Sequence, residues 1–198
     1  MVLHGHALDH LGAIEPWTGS LRARQVDGDT FGRDPRAPEA DFRAEEAAIF
    51  RAFTALVEAV PDERWRLAGA TPGWSIADHA GHLAAWMEEA IGAFAARAAG
   101  RPWPDDPPEG FDAWNARAVE QWRAVGPAEI RDRLAAARAR MIGLADRLDP
   151  SERRGAGAWG WTYEVLHGHV RRHAAMLGSW CARQAWEARR RRRRRRSR

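Results

Sequence analysis

The sequence predicts an all-α fold, a four-helix bundle with a long connection between helices 2 and 3. Apolar residues recur every three or four positions in four long stretches, as on the buried face of a helix. No stretch shows the alternation of apolar and polar residues that is typical of a strand. Between the second and third stretches lies RPWPDDPPEG, whose prolines exclude a helix and predict the long connection.

The same patterns divide the chain into three parts. Residues 1–38 lack sustained periodicity and are predicted to form a loose leader. Residues 39–188 are predicted to form the bundle. Residues 189–198 are predicted to be a disordered polyarginine tail. The tail holds nine of the 31 basic residues, so the rest of the chain has 22 against 27 acids and is acidic despite the net charge of +4.

The first two helices have recognisable ends. Helix 1 begins near Glu39 and is ended by Pro61. The segment LAGATPGW is a predicted loop, after which Ser75 has the features of an N-cap with Asp78 completing a capping box. Helix 2 is expected to close near Gly100.

The last two helices are less regular. Helix 3 opens in FDAWNARAVEQWRAV, is broken or kinked at Gly126-Pro127, and resumes as far as Pro150. A loop, SERRGAGAWG, precedes helix 4, which is predicted from about Thr162 to Arg189. The apolar stripes of helices 3 and 4 consist of Ile130, Leu134, Met141, Leu144, Leu148, Leu166, Val170, Met176, Leu177 and Trp180.

Histidines within helix 4 give the strongest functional signal. His169 and His173 are four residues apart and fall inside the apolar stripe, where an imidazole without a partner is costly. Two imidazoles at this spacing can bind one divalent ion from a single helix face. His82, after the start of helix 2, is a third candidate. The alternative is that these are core histidines satisfied by backbone or water; two at chelating spacing plus a third favour metal binding.

Two further histidines are weighed against this trio. His79 lies three residues before His82 and is expected to flank the site or to be surface exposed, although it could replace or assist His82. His167 lies about 200° around the helix from His169 and is expected to face away.

No residue is assigned as a catalytic acid or base. Asp78 is interpreted as a helix-start carboxylate, and nothing selects among Glu88, Glu89 and Glu164. Cys181, the only cysteine, is predicted to be an inert buried thiol. The tryptophans are interpreted as core residues, of which one or two line a pocket mouth.

Three segments in order resemble a known family. GWSIADHAGHLAAW resembles the W-S-x-x-D-x-x-x-H-L-x-x-W signature of DinB/YfiT-like four-helix bundles, and HVRRH matches their H-x-x-x-H. GFDAWNARAVEQWR is similar to the segment that often opens their third helix. The resemblance covers residues 40 to 185. The superfamily includes the ClbS/DfsB group and the metal-binding domain of mycothiol-dependent maleylpyruvate isomerase.

The resemblance implies that His82, His169 and His173 are metal ligands that converge at one end of the bundle. Gly168 and Arg172 stand where acidic residues often precede the two C-terminal histidines, and this departure concerns the pocket rather than the ligands. Three imidazoles with no fourth protein ligand leave coordination positions open, as in a catalytic site. Zinc, nickel or iron fits such a donor set.

The function implied by the resemblance is that of a metal-dependent enzyme acting on a small electrophilic molecule. It is either a transferase or isomerase that uses mycothiol or a related low-molecular-weight thiol, or a hydrolase. The alternative from another class is a non-catalytic metal-binding or stress-response bundle.

Partners and location follow from composition. A small-molecule substrate is expected, and a homodimer is compatible with the sequence. No apolar stretch approaches the roughly 18 residues of a membrane span, and no signal-peptide pattern is present, so a cytoplasmic protein is predicted. The arginine tail is expected to bind nucleic acid only non-specifically, through phosphate charge.

Overall fold

The computed structural model describes residues 39–67, 69–102, 107–149 and 158–196. Within these ranges the chain is helical and forms no sheet, which confirms the predicted all-α class. The helices are α1 (Glu39–Glu58), α2 (Ile76–Ala98), α3 (Phe111–Trp122), α4 (Pro127–Asp146), α5 (Ala158–Tyr163) and α6 (Val170–Arg196), with a 3-10 turn at Asp62–Arg64 and a π-helical turn at Glu164–His169.

The long helices pair side by side. Helix α2 packs along α4 and α1 packs along α6, while α3 lies against α2. Predicted helix 3 is two helices, α3 and α4. Pro127 is the first residue of α4, a position whose backbone N–H has no partner within the helix, so proline is tolerated there. A Cβ added at Gly81 of α2 would lie 2.8 Å from Cβ of Trp122, so the glycine permits the close approach of α3.

The start of α2 follows the predicted capping box. The backbone N–H of Asp78 donates to Ser75 Oγ at 3.2 Å, and the backbone N–H of Ser75 donates to Asp78 Oδ2 at 2.7 Å. These bonds satisfy two donors that the helix itself leaves unpaired. Asp78 is thus a helix-start carboxylate, as expected, and it fixes where α2 begins.

The last helical segment differs from its prediction at both ends. It begins at Ala158 rather than Thr162 and contains a π-helical turn, which the apolar pattern did not indicate. It also continues through Arg196, where a disordered tail from residue 189 was expected. Arginine is a good helix former, so the run extends α6. The predicted leader, residues 1–38, lies outside the described residues.

The core follows the predicted stripes with two exceptions. Met176 is 39% exposed, because it lies about 100° around α6 from Leu177, which is buried. Leu144 of α4 is only half-buried. None of the described helices combines the length and apolar character that a membrane crossing requires.

Candidate metal centre

Three histidines from two helical segments meet near the N-terminal ends of α2 and α6. His82 lies on α2, His169 ends the π-helical turn, and His173 lies in the first turn of α6. Their ring centroids are 4.8 Å apart for His82 and His169, 4.7 Å for His169 and His173, and 5.1 Å for His82 and His173. The fold thus brings together the three histidines that the sequence analysis singled out.

The nitrogens of the three rings face one another. His169 Nε2 lies 2.9 Å from His82 Nε2 and 3.0 Å from His173 Nε2. One nitrogen from each residue lies within 4.8 Å of the other two. A neutral imidazole has one nitrogen that bears a proton and one that offers a lone pair. Three lone pairs directed at one point form a donor set that can hold a metal ion.

Burial keeps these imidazoles uncharged. His82 and His173 are buried and His169 is half-buried. Burial, with smaller effects of His79 and Arg172, lowers the pKa of His82 to about 3. Burial also holds the pKa values of His169 and His173 well below the ordinary value. Metal ligands must be deprotonated, and at neutral pH all three are in that state.

His79 is placed beside the trio and not at the surface. Only 1% of it is exposed, so the surface alternative is wrong and the flanking one is confirmed. Its Nδ1 lies 2.6 Å from His173 Nδ1, on the nitrogen of His173 that faces away from His169. His79 therefore contacts the trio from outside, through the nitrogen of His173 that does not contact His169. Burial lowers the pKa of His79 to about 4.

His167 faces away from the trio, as expected from its angle on the helix. Its Nε2 lies 2.9 Å from Glu45 Oε2 on α1. Its ring stacks on Tyr163 with centroids 4.5 Å apart, and the ring of Phe42 lies 6.4 Å away. The residue is buried, and it links the π-helical turn to α1.

Two indole rings lie next to members of the trio. Trp74 lies 4.9 Å from His82, and Trp86 lies 6.2 Å from His169. Trp86 belongs to an aromatic cluster that reaches the surface, where Phe111 is 42% exposed. The other centroids in this cluster lie 4.0 Å (Trp114), 5.8 Å (Trp161) and 5.9 Å (Phe111) from Trp86.

The three glutamates considered as catalytic acids or bases divide into two groups. Glu88 and Glu89 are exposed, and Glu88 pairs with Arg133 on α4. Glu164, in contrast, is half-buried and pairs with Arg172 across Gly168. A Cβ at residue 168 would come within 2.5 Å of Glu164 Oε2, so the carboxylate occupies the space that the glycine leaves.

Sequence reasoning did not single out this arrangement. The four-residue spacings from Glu164 to Gly168 and from Gly168 to Arg172 were its only signal, since such residues share a helix face. The Arg172 guanidinium of this pair helps to lower the pKa of His169, whereas the Glu164 carboxylate opposes the lowering of the pKa of His167.

Cys181 is buried, as expected, and burial raises the pKa of its thiol to about 12. Such a thiol stays protonated at neutral pH, and the thiolate is the nucleophilic form. Cys181 is therefore not a candidate nucleophile.

The molecule is thus a helical bundle with three converging imidazoles that can hold a metal ion. The sequence profile of the DinB superfamily matches residues 46–177, two thirds of the chain, including all three histidines. The chain belongs to the DinB superfamily. Comparisons with curated proteins and with solved structures gave no significant match.

Proposed function

We propose that the protein is a metal-dependent enzyme in which His82, His169 and His173 bind one divalent ion. The supporting observation is the approach of the three Nε2 atoms, at 2.9 and 3.0 Å from the shared nitrogen of His169. Imidazole donors that are neutral and buried suit zinc, nickel or iron. Once bound, such an ion lowers the pKa of a coordinated water or thiol and so supplies a nucleophile at neutral pH.

The substrate we propose is a small electrophilic molecule, attacked by a low-molecular-weight thiol such as mycothiol or by water. The thiol arm makes the protein a transferase or isomerase, and the water arm makes it a hydrolase. The inert state of Cys181 supports an external nucleophile. Trp86 contacts both His169 and Phe111, and the exposed ring of Phe111 is the apolar surface that we propose for the substrate.

An experiment with cobalt tests whether the site is open. Cobalt(II)-loaded protein should change its visible spectrum when a small thiol is added, because three imidazoles leave coordination positions for an external ligand. The Cys181→Ser variant should respond in the same way, which excludes the protein's own thiol as the source. A spectrum that stays unchanged in saturating thiol, azide and cyanide would show a closed site. A non-catalytic metal-binding bundle would then be the better description.

A conjugation assay tests the chemistry itself. The zinc-loaded protein should accelerate the reaction of a low-molecular-weight thiol with a chromogenic electrophile such as chlorodinitrobenzene. His169→Ala should lose this acceleration, whereas His167→Gln, a matched histidine replacement outside the trio, should keep it. Equal rates for His169→Ala and the unaltered protein would contradict a metal-dependent transfer.

A further inference from the structure

The two nitrogens of His173 have different neighbours. Nε2 lies 3.0 Å from His169 Nε2, toward the trio. Nδ1 lies 2.6 Å from His79 Nδ1, and His79 Nε2 in turn lies 3.1 Å from the hydroxyl oxygen of Thr71. His79 and His173 are both buried, so water competes little for these contacts. The result is a chain of three side chains that ends on the outer nitrogen of His173.

The position of each proton along this row of three side chains is determined once His173 Nε2 offers its lone pair to a metal ion. A neutral imidazole carries one N–H, so the proton of His173 then resides on Nδ1 and is donated to His79 Nδ1. His79 accepts there and must carry its own proton on Nε2, which donates to Thr71 Oγ1. Every nitrogen in the chain is satisfied by this arrangement.

The far end of the chain is fixed by the backbone. Thr71 lies in the loop before α2, and its carbonyl accepts from the N–H of Trp74 at 3.1 Å. His79 lies in the first turn of α2, and its N–H donates to the carbonyl of Ser75 at 3.2 Å. The ring of Trp74 packs edge-on against His79 at 5.3 Å. The hydroxyl and the imidazole are therefore held by the same loop and helix start.

His82 has no such support. Its Nδ1 is buried and has no hydrogen-bond partner in the part of the chain that the structure describes. The trio thus contains one ring whose outer nitrogen is bonded and one whose outer nitrogen is not. An outer hydrogen bond fixes the tautomer and orientation of a histidine ligand and raises its basicity.

We propose that His79 and Thr71 hold His173 with its Nε2 lone pair directed at the metal position. His79 is a positioning residue in this scheme and not a ligand. The inference rests on the metal site proposed above and adds the residues that orient one of its ligands.

The test measures the zinc affinity of the full-length protein by competition with a chelating dye. His79→Phe keeps a ring of similar size but has no hydrogen-bonding atom, and it should weaken zinc binding about 10- to 100-fold at unchanged stoichiometry. Thr71→Val removes only the hydroxyl and should cause a smaller loss. His79→Gln can accept and donate, and should recover part of the affinity. Thermal melting of each variant checks folding, and the His79→Gln and Thr71→Val variants still test the proposal if the His79→Phe protein does not fold.

Three outcomes would overturn the inference. Zinc binding by His79→Phe as tight as that of the unaltered protein would show that His79 does not act on the site. Complete loss of the zinc equivalent in both the His79→Phe and His79→Gln variants would make His79 a ligand. In the zinc-loaded protein, nitrogen-15 spectra should place the proton of His173 on Nδ1, and a proton on Nε2 would contradict the scheme. Failure of the unaltered protein to bind zinc would refute the metal site itself. The dye competition on the unaltered protein reports this outcome independently of the variants.

Discussion

His167 and His169 lie two residues apart in one π-helical turn, yet their surroundings are opposite. His167 Nε2 meets a carboxylate, that of Glu45, and its ring stacks on Tyr163. His169 Nε2 meets two other imidazole nitrogens, those of His82 and His173. A buried imidazole with a carboxylate partner ties two helices together. Imidazole nitrogens that face one another can instead hold a cation between them.

The pKa values of His167 and His169 are also set by different neighbours. Burial lowers the pKa of both, but Glu45 opposes this effect at His167. At His169 the neighbouring His82 and Arg172 add to the lowering. His169 therefore disfavours a proton more strongly than His167 does, although both lie on the same turn. Local charge, and not sequence spacing alone, separates a structural histidine from a candidate ligand.

The largest expected effect is on metal content, which should distinguish His169 from His167 directly. The purified protein should carry close to one equivalent of transition metal, and His169→Ala should lose most of it because two of three imidazoles bind weakly. His167→Ala, two residues away, should retain the full equivalent. Elemental analysis of the three proteins decides the matter, and undiminished metal in the His169→Ala protein would refute the ligand assignment.

Metal removal should have the next largest effect. A ligand that binds only the folded state stabilises it, by about 4 kcal/mol at a concentration 1,000 times its dissociation constant. A strong chelator should therefore lower the melting temperature of the unaltered protein and of His167→Gln. The His169→Ala protein should melt at the same temperature with and without chelator. A chelator effect of equal size in all three would place the metal elsewhere.

The stability of the metal-free protein should depend on pH, because the pKa values of the buried histidines are lowered. Burial depresses the folded pKa values of His79 to about 4 and of His82 to about 3, below an ordinary value near 6.5. The unfolded chain therefore binds protons first as the pH falls, and the stability present above pH 6.5 is lost progressively toward pH 4. Urea unfolding at pH 7, 6 and 5 should give falling free energies.

A matched pair of variants assigns this pH dependence. His82→Gln should reduce the slope of stability against pH more than His167→Gln does, because Glu45 opposes the pKa shift only at His167. Stability that rises between pH 7 and pH 5 in the metal-free protein would contradict the neutral trio.

The smallest effect is expected at the partner of His167. Glu45→Gln should cost no more than about 1 kcal/mol of stability, since the carboxylate is partly exposed and solvent screens it. The metal content should not change. A loss of metal in the Glu45→Gln protein would show that the two histidine environments are coupled, contrary to the comparison.

Local signals in the sequence predicted much of this molecule. The capping box of Ser75 and Asp78, the apolar stripes and the meeting of His82 with His169 and His173 all follow from spacing within a helix or from the family resemblance. The partners of His79 and His167 could not be predicted, because they come from a loop and from another helix. The π-helical turn could not be predicted either, because its six residues are too few to show a period different from that of the α-helices around it.

The most direct test of the three-imidazole centre is X-ray absorption spectroscopy of the zinc-loaded protein. We expect three imidazole nitrogens at about 2.0–2.1 Å and at least one non-imidazole oxygen ligand, which an added thiol replaces with sulfur at about 2.3 Å. The same measurement on His167→Gln should give an identical first shell. A shell with fewer than three imidazoles, or with sulfur before any thiol is added, would refute the three-imidazole centre.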